Sequence, residues 1–236
     1  MQVTVPQQRA AVRPDVAPVP MPQLRVPDIG LPDHTHNGTP LNRLGDPPAA
    51  DSDRARRDMS ITHALVAQRT PAGDAWARDL DLHGTTAVWR AFADQVQGDT
   101  AVAQALVGAA LASASTQGGI GKQQWARPRP FLQDTSIKVI GRTPRHQDSS
   151  YPSIHAARSY AAARIIATVD PSLTTAAYDM AREVALSRIY AGVHFASDVV
   201  AGARLGTRLA ESVLERWRDG RLRLAPDGQV EPTAAA

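Results

Sequence analysis

The chain has no cysteine among its 236 residues, so disulfides and thiolate-held metals are excluded. Lysine is nearly absent as well: of 26 basic residues, only Lys122 and Lys138 are lysines. With alanine so frequent, this skew reads as the codon bias of a GC-rich genome, and it makes the lysine inside a motif easy to notice. Excess charge is also missing. A net charge of +3 leaves no bulk basic field of the kind that marks a nucleic-acid binder. Long apolar runs are absent too. Residues 1–20 lack the uninterrupted apolar core of a signal peptide. The stretch AVAQALVGAALASAS (101–115) falls short of the ~20 apolar residues that span a bilayer. The expectation is a soluble, cytoplasmic protein with no membrane span, although a trimmed secreted chain would read the same. Finally, no alternating β-branched runs argue for a sheet.

What is present is helical periodicity between two polar ends. Residues 1–56 carry many prolines and no sustained apolar period, so they cannot bury enough surface to offset their ordering entropy. They read as a disordered or extended arm. His34 and His36 there lack further ligands nearby and read as part of a polar turn. Residues 57–219 read as one compact all-α helical bundle, and residues 220–236 as a flexible tail. Ser60 is a candidate cap for ITHALVAQ. Val88, Phe92 and Val96 mark one helical face, and Trp76, Trp89 and Phe92 read as core. Asp99 or Thr100 opens the next helix.

GGIGKQQ (118–124) offers a Gly-Lys pair in the manner of a phosphate loop. The nucleotide motif needs Gly five residues before that pair and Ser or Thr after the Lys, and these positions are Thr116 and Gln123. The glycines are instead expected to end a helix and turn Lys122 toward a site. Lys122 and Arg129 lie seven apart, on one face if the segment is helical, and Pro130 forces an exit. Arg127 between them reads as a surface residue. Residues 133–150 read as a polar loop, with His146 a solvated member. YPSIH (151–155) starts a helix and puts Ser153 and His155 in a first turn, where free amides favour an anion. In SRIYAGVHFASD (187–198), Arg188 ends a helix, and His194 and Asp198 stand four apart at the start of another. One helical turn brings that carboxylate within reach of one imidazole nitrogen, which fixes the tautomer and stabilises an imidazolium. Each piece also has an ordinary structural reading: solvated cations, an N-cap serine, a surface His-Asp pair.

As an ordered set, KQQWARPRP, YPSIH and SRIYAGVHFASD resemble the tripartite signature of the type 2 phosphatidic acid phosphatase superfamily. That group includes class A non-specific acid phosphatases and vanadium-dependent haloperoxidases. The resemblance covers about residues 85–215. It implies an all-α domain with the active site between helices. It further implies His194 as the nucleophile that becomes a phosphohistidine, Asp198 as its orienting partner, and His155 as general acid and then base. Lys122, Arg129, Arg188, Ser153 and the backbone N–H of Ile154 would bind the phosphoryl oxygens of a small phosphorylated substrate, with no metal or other cofactor required. One position departs from the pattern: Ile154 stands where the family has Gly. Either it points away from the site or it narrows the pocket. A soluble phosphatase acting on a phosphate ester or diphosphate is the favoured reading. A haloperoxidase holding vanadate on His194 and a degenerate anion-binding relative are the alternatives.

Overall fold

The computed structural model describes residues 19–142 and 149–233. His146, residues 1–18 of the arm and residues 234–236 of the tail lie outside the described residues. The helices are α1 (Asp53–Val66), α2 (Pro71–His83), α3 (Ala87–Ala93), α4 (Thr100–Trp125), the single turn α5 (Pro130–Gln133), α6 (Ile154–Val169), α7 (Thr174–Tyr190) and α8 (Ala196–Arg218). Several start where a short polar side chain accepts an otherwise unpaired amide: Ser52 from Ala55, Thr70 from Gly73, Asp99 from Val102 and Ser153 from Ala156. The cap of α1 is therefore Ser52, not Ser60, and the helical body begins at Asp53, inside the segment expected to be arm.

The all-α expectation holds for the body. The one addition lies in the expected tail, where β1 (Leu222–Leu224) and β2 (Val230–Pro232) pair antiparallel, with Leu224 opposite Val230. The arm beyond residue 18 is extended, but it is laid on the helices. Val19, Met21, Leu24, Val26, Ile29 and Leu31 pack against the core. The Thr39 amide donates to the Arg204 carbonyl of α8 at 2.8 Å. His36 pairs with Asp33, and no cluster among the described residues is placed to hold a metal.

α6 is the central helix, packed between α8, α7 and α4. Its buried face is largely alanine (Ala156, Ala157, Ala161, Ala162, Ala163), which lets neighbours come close. α8 answers with glycine. A Cβ on Gly202 would stand 2.2 Å from the Ser153 carbonyl oxygen, and one on Gly206 would stand 2.0 Å from that of Ala157. The two helices thus touch backbone to backbone across two turns. α4 also differs from expectation. It runs unbroken through Gly118, Gly119 and Gly121 and stops only at Ala126, in the left-handed region at φ 44°. The glycines are tolerated because packing replaces what propensity lacks. Gly118 faces the Ile154 side chain and Gly121 faces Pro152, at 2.7 Å from a hypothetical Cβ in each case.

Gly206→Ala should therefore destabilise the fold by about 1–3 kcal/mol through overpacking. Gly108→Ala, on the exposed side of α4 with open space around it, should stabilise by up to ~1 kcal/mol. Urea unfolding of both variants measures the contrast, and equal effects would contradict this account of the α6–α8 contact.

Candidate active site

His194 leaves α7 through Gly192, where φ is +75° and a Cβ would strike Ile137 at 2.5 Å, so glycine is required on both counts. The chain then becomes extended at Phe195 and enters α8. Asp198, in the first turn, reaches back so that its Oδ2 accepts the Phe195 amide at 2.8 Å and faces His194 Nδ1 at 3.4 Å. With the ring proton assigned to Nδ1, facing this carboxylate, the Nε2 lone pair is free. Arg129 Nη1 lies 3.4 Å from that Nε2 and donates to the Val193 carbonyl at 2.7 Å. Lys122, in the last turn of α4, is a second cation here: its Nζ and Arg129 Nη2 both donate to the Ser149 carbonyl. Lys122 ends up near Arg129 through this turn rather than through one continuous helical face.

α6 supplies the opposite side. Ser153 is fully buried. Its hydroxyl accepts the Ala156 amide while its own N–H donates to the Asp198 carbonyl at 2.9 Å, which ties the start of α6 to the start of α8. The amides of Ile154 and His155 open α6 with no acceptor among the described residues. Ile154 has ordinary helical geometry and seats its side chain over Gly118, so the departure from the family pattern is accommodated by a glycine on the facing helix. The His155 side chain remains a quarter exposed, with Nε2 at 3.7 Å from Asp81 Oδ1.

Asp81 is the residue that sequence reasoning missed. It sits on α2, and its Oδ1 holds Arg188 Nη2 at 2.9 Å while Oδ2 accepts the Arg142 amide at 2.8 Å. The available signal was an aspartate on the apolar face of α2, in register with Gly73, Ala77 and Leu80. Arg188 is 3% exposed, and its Nε and Nη1 are buried with no hydrogen-bond partner among the described residues. Arg127 also overturns its expected surface position. It is 7% exposed, bridging Asp58 and Asp198, because the left-handed turn at Ala126 sends it inward.

Lys122, Arg129, Ile154, His155, Arg188 and His194 all line one cavity of about 380 Å³, with Leu82 as its exposed apolar edge and Arg142 and Arg158 adding further positive charge. Ser153 and Asp198 lie behind its wall. Burial, and then the neighbouring Arg188 and His194, hold His155 well below the ordinary imidazole value. Burial, followed by Arg129, Lys122 and Arg188, does the same to His194. Both rings are neutral at pH 7. The site as a whole is a buried set of cations and two neutral imidazoles that can receive a compact anion.

Residues 102–219 match the PAP2 superfamily. An acid phosphatase of Zymomonas mobilis subsp. mobilis is 28% identical over 180 residues, and the aligned stretch spans 72% of this chain and 66% of that protein. Two solved structures share the fold. One is a transmembrane PAP2-type phosphatidylglycerolphosphate phosphatase from Bacillus subtilis, with TM-score 0.54, 20% identity, and 72% of this chain and 89% of that one covered. The other is LpxE from Aquifex aeolicus, with TM-score 0.59, 20% identity, and 67% and 95% covered. The matched span contains every motif residue, whereas Asp58 and Asp81 precede it.

The depressed imidazoles predict a pH effect on stability. In the unfolded chain both histidines titrate near ~6.5. As pH falls below that value the unfolded state takes up protons that the folded site refuses, so stability falls until the lower folded values are reached. Above ~6.5 the two groups contribute no slope. The thermal midpoint should drop between about pH 7 and about pH 5, and a His155→Gln/His194→Gln variant should drop less. Identical pH profiles for the two proteins would show that these rings are not held neutral.

Proposed function

The chain belongs to the PAP2 superfamily, and from that premise we propose that it is a phosphoric-ester hydrolase acting on a small phosphate ester or diphosphate through a phosphohistidine intermediate. The observation that carries this reading is Arg188: a buried guanidinium with two nitrogens that have no partner among the described residues, lining the same cavity as His194. A phosphoryl group supplies the acceptors those nitrogens lack.

In the proposed sequence, the phosphoryl oxygens bind Arg188, Lys122, Arg129 and the free amides that open α6. The His194 Nε2 lone pair attacks phosphorus while Asp198 holds the Nδ1 proton in place. The bond to the leaving oxygen breaks, and that oxygen takes a proton from His155. Water then enters, His155 accepts one of its protons, and the hydroxide displaces His194 to release phosphate. His155 must carry a proton for the first step although it is neutral in the empty site. Burial is the larger obstacle and the Arg188 field the second; a bound substrate anion eases both, because its charge stabilises a buried imidazolium and offsets Arg188. Charge develops on the equatorial oxygens, so fixed cations and N–H donors do most of the stabilising. The relative from Zymomonas mobilis is named an acid phosphatase, which fits a mechanism that needs a protonated imidazole. No helix among the described residues is long and apolar enough to cross a membrane.

Purified protein should release phosphate from p-nitrophenyl phosphate without added divalent metal, and vanadate should inhibit it. His194→Ala should lower kcat by about 10³-fold or more, and Asp198→Asn should leave a weaker enzyme. A screen across nucleotides, sugar phosphates and isoprenyl phosphates identifies the substrate class. No turnover on any of them, together with bromide oxidation by peroxide after vanadate loading, would overturn this reading in favour of a haloperoxidase.

A further inference from the structure

The carboxylate behind His194 is shared. Asp198 Oδ2 faces His194 Nδ1 at 3.4 Å, but Oδ1 accepts a shorter, charge-assisted bond of 2.6 Å from Arg127 Nη1. The same guanidinium donates from Nη2 to Asp58 Oδ2 at 2.9 Å and from Nη1 to the Ser197 hydroxyl at 2.7 Å. Its central carbon lies 4.2 Å from the centre of the Phe195 ring, the residue next to His194. Asp58, on α1, is 5% exposed. Its two oxygens accept the Ser197 amide at 3.0 Å and the Ser197 hydroxyl, so it also caps the start of α8. Both arms of the Arg127 fork are therefore fixed. The backbone fixes its base as well: the Arg127 amide donates to Ser149 Oγ at 2.9 Å, and the Ser150 amide donates to the Arg127 carbonyl at 2.9 Å.

This arrangement answers a difficulty in the chemistry. A nucleophilic imidazole needs a carboxylate to fix its tautomer, yet an unshared buried carboxylate favours the imidazolium, which has no lone pair to attack with. The charged and titratable groups around His194 are Lys122 from α4, Arg129 at the start of α5, His155 from α6, Arg188 from α7 with Asp81 of α2 upon it, and Asp198 from α8. Behind Asp198 stand Arg127 and then Asp58. Resting on the reading of His194 as nucleophile, we infer that Arg127 is a positioning residue: clamped by Asp58, it aims Asp198 at Nδ1 and offsets its charge, so that His194 is oriented without being protonated. Arg127 touches neither substrate nor the reacting atoms. Asp58 in turn keeps the guanidinium from swinging toward the cavity and being drawn to the substrate anion.

The test uses the neutral double variant Arg127→Gln/Asp58→Asn, which leaves no unpaired charge at position 58, and Arg127→Lys, which keeps the charge but loses the planar fork. The His194 ring signal, assigned by its loss in His194→Gln, is titrated by NMR in each protein, a measurement that needs no turnover. In the double variant the His194 titration should rise by about one pH unit, and the acid limb of kcat/KM should rise with it. The kcat should fall by about tenfold or more with KM little changed, because an aiming group and not a binding group has been removed. Arg127→Lys should return the acid limb toward that of the wild type while kcat stays low. A folded double variant with wild-type His194 titration and wild-type kcat would overturn the inference and leave Arg127 a scaffold ion pair. Absence of turnover in the wild type would instead sink the phosphatase reading, and the NMR titration alone then decides whether Arg127 controls the ring.

Discussion

Two helices can meet backbone to backbone only where side chains are missing, and the contact between α6 and α8 is of this kind. Gly202 and Gly206 lie over the carbonyls of Ser153 and Ala157, with no room for a Cβ at either glycine. The consequence is chemical as well as structural. His155 is two residues beyond Ser153, and His194 is four before Asp198, whose carbonyl the Ser153 amide holds. Bringing the two helix starts together at this distance puts both imidazoles in the wall of one cavity. A wider interhelical spacing would leave the two histidines apart, each with its own solvent. The alanine-rich face of α6 serves the same end, since larger side chains there would restore volume and push the helices apart.

The electrostatics follow from that proximity. Burial depresses the proton affinity of both imidazoles, and so do Arg188 and Arg158 at His155 and Arg129, Lys122 and Arg188 at His194; the cavity is lined by more positive than negative charge, with Asp81 on Arg188 and the Ser149 carbonyl accepting from Lys122 and Arg129. Fixed charges in a low-dielectric setting act strongly on whatever enters, because they need not reorganise when it arrives. A compact anion is the species that relieves this imbalance, and it relieves it twice. It supplies acceptors to the buried Arg188 nitrogens, and its charge counters the Arg188 field that, after burial, weighs against an imidazolium at His155. Asp58 and Asp81 are placed on opposite sides of this centre, one behind Asp198 and one behind Arg188. Asp81 steadies Arg188 directly, whereas Asp58 acts one step further back, on the Arg127 that holds Asp198.

Much of this was legible in the residues. Caps and breakers such as Asp99, Pro71, Ser153 and Gly220 mark helix ends by local chemistry, and the three motifs carry residue types whose spacing has a chemical reason. What was not legible depends on contacts between distant segments. Arg127 reads as surface because nothing local reveals the left-handed turn at Ala126 or the two carboxylates, one 69 residues before it and one 71 after, that receive it. Asp81 and Asp58 precede every motif, and their partners lie on other helices. The glycines of α4 read as a helix end because propensity is a local quantity, whereas the helix there is sustained by α6. The arm's scattered Val, Met, Leu and Ile show no period because they dock on a surface made by other helices.

Ile154 shows the same lesson at the site itself. Taken alone, a β-branched residue at the opening turn of α6 is a defect: it narrows the pocket or strains the backbone. The backbone of Ile154 is ordinary helix, so there is no strain, and although Ile154 still lines the cavity, Gly118 makes room for its side chain. It lies one helix away and so close that a Cβ on it would stand 2.7 Å from Ile154 Cγ1. The volume has moved from one helix to the other, α4 giving up a side chain where α6 has gained one. Ile154 keeps the helix-start geometry that leaves its amide free, and its side chain closes the α4–α6 seam beside Lys122, which a glycine pair would leave void. The residue that looked least suited to the site thus anchors α4, and with it the lysine, against the helix that carries His155.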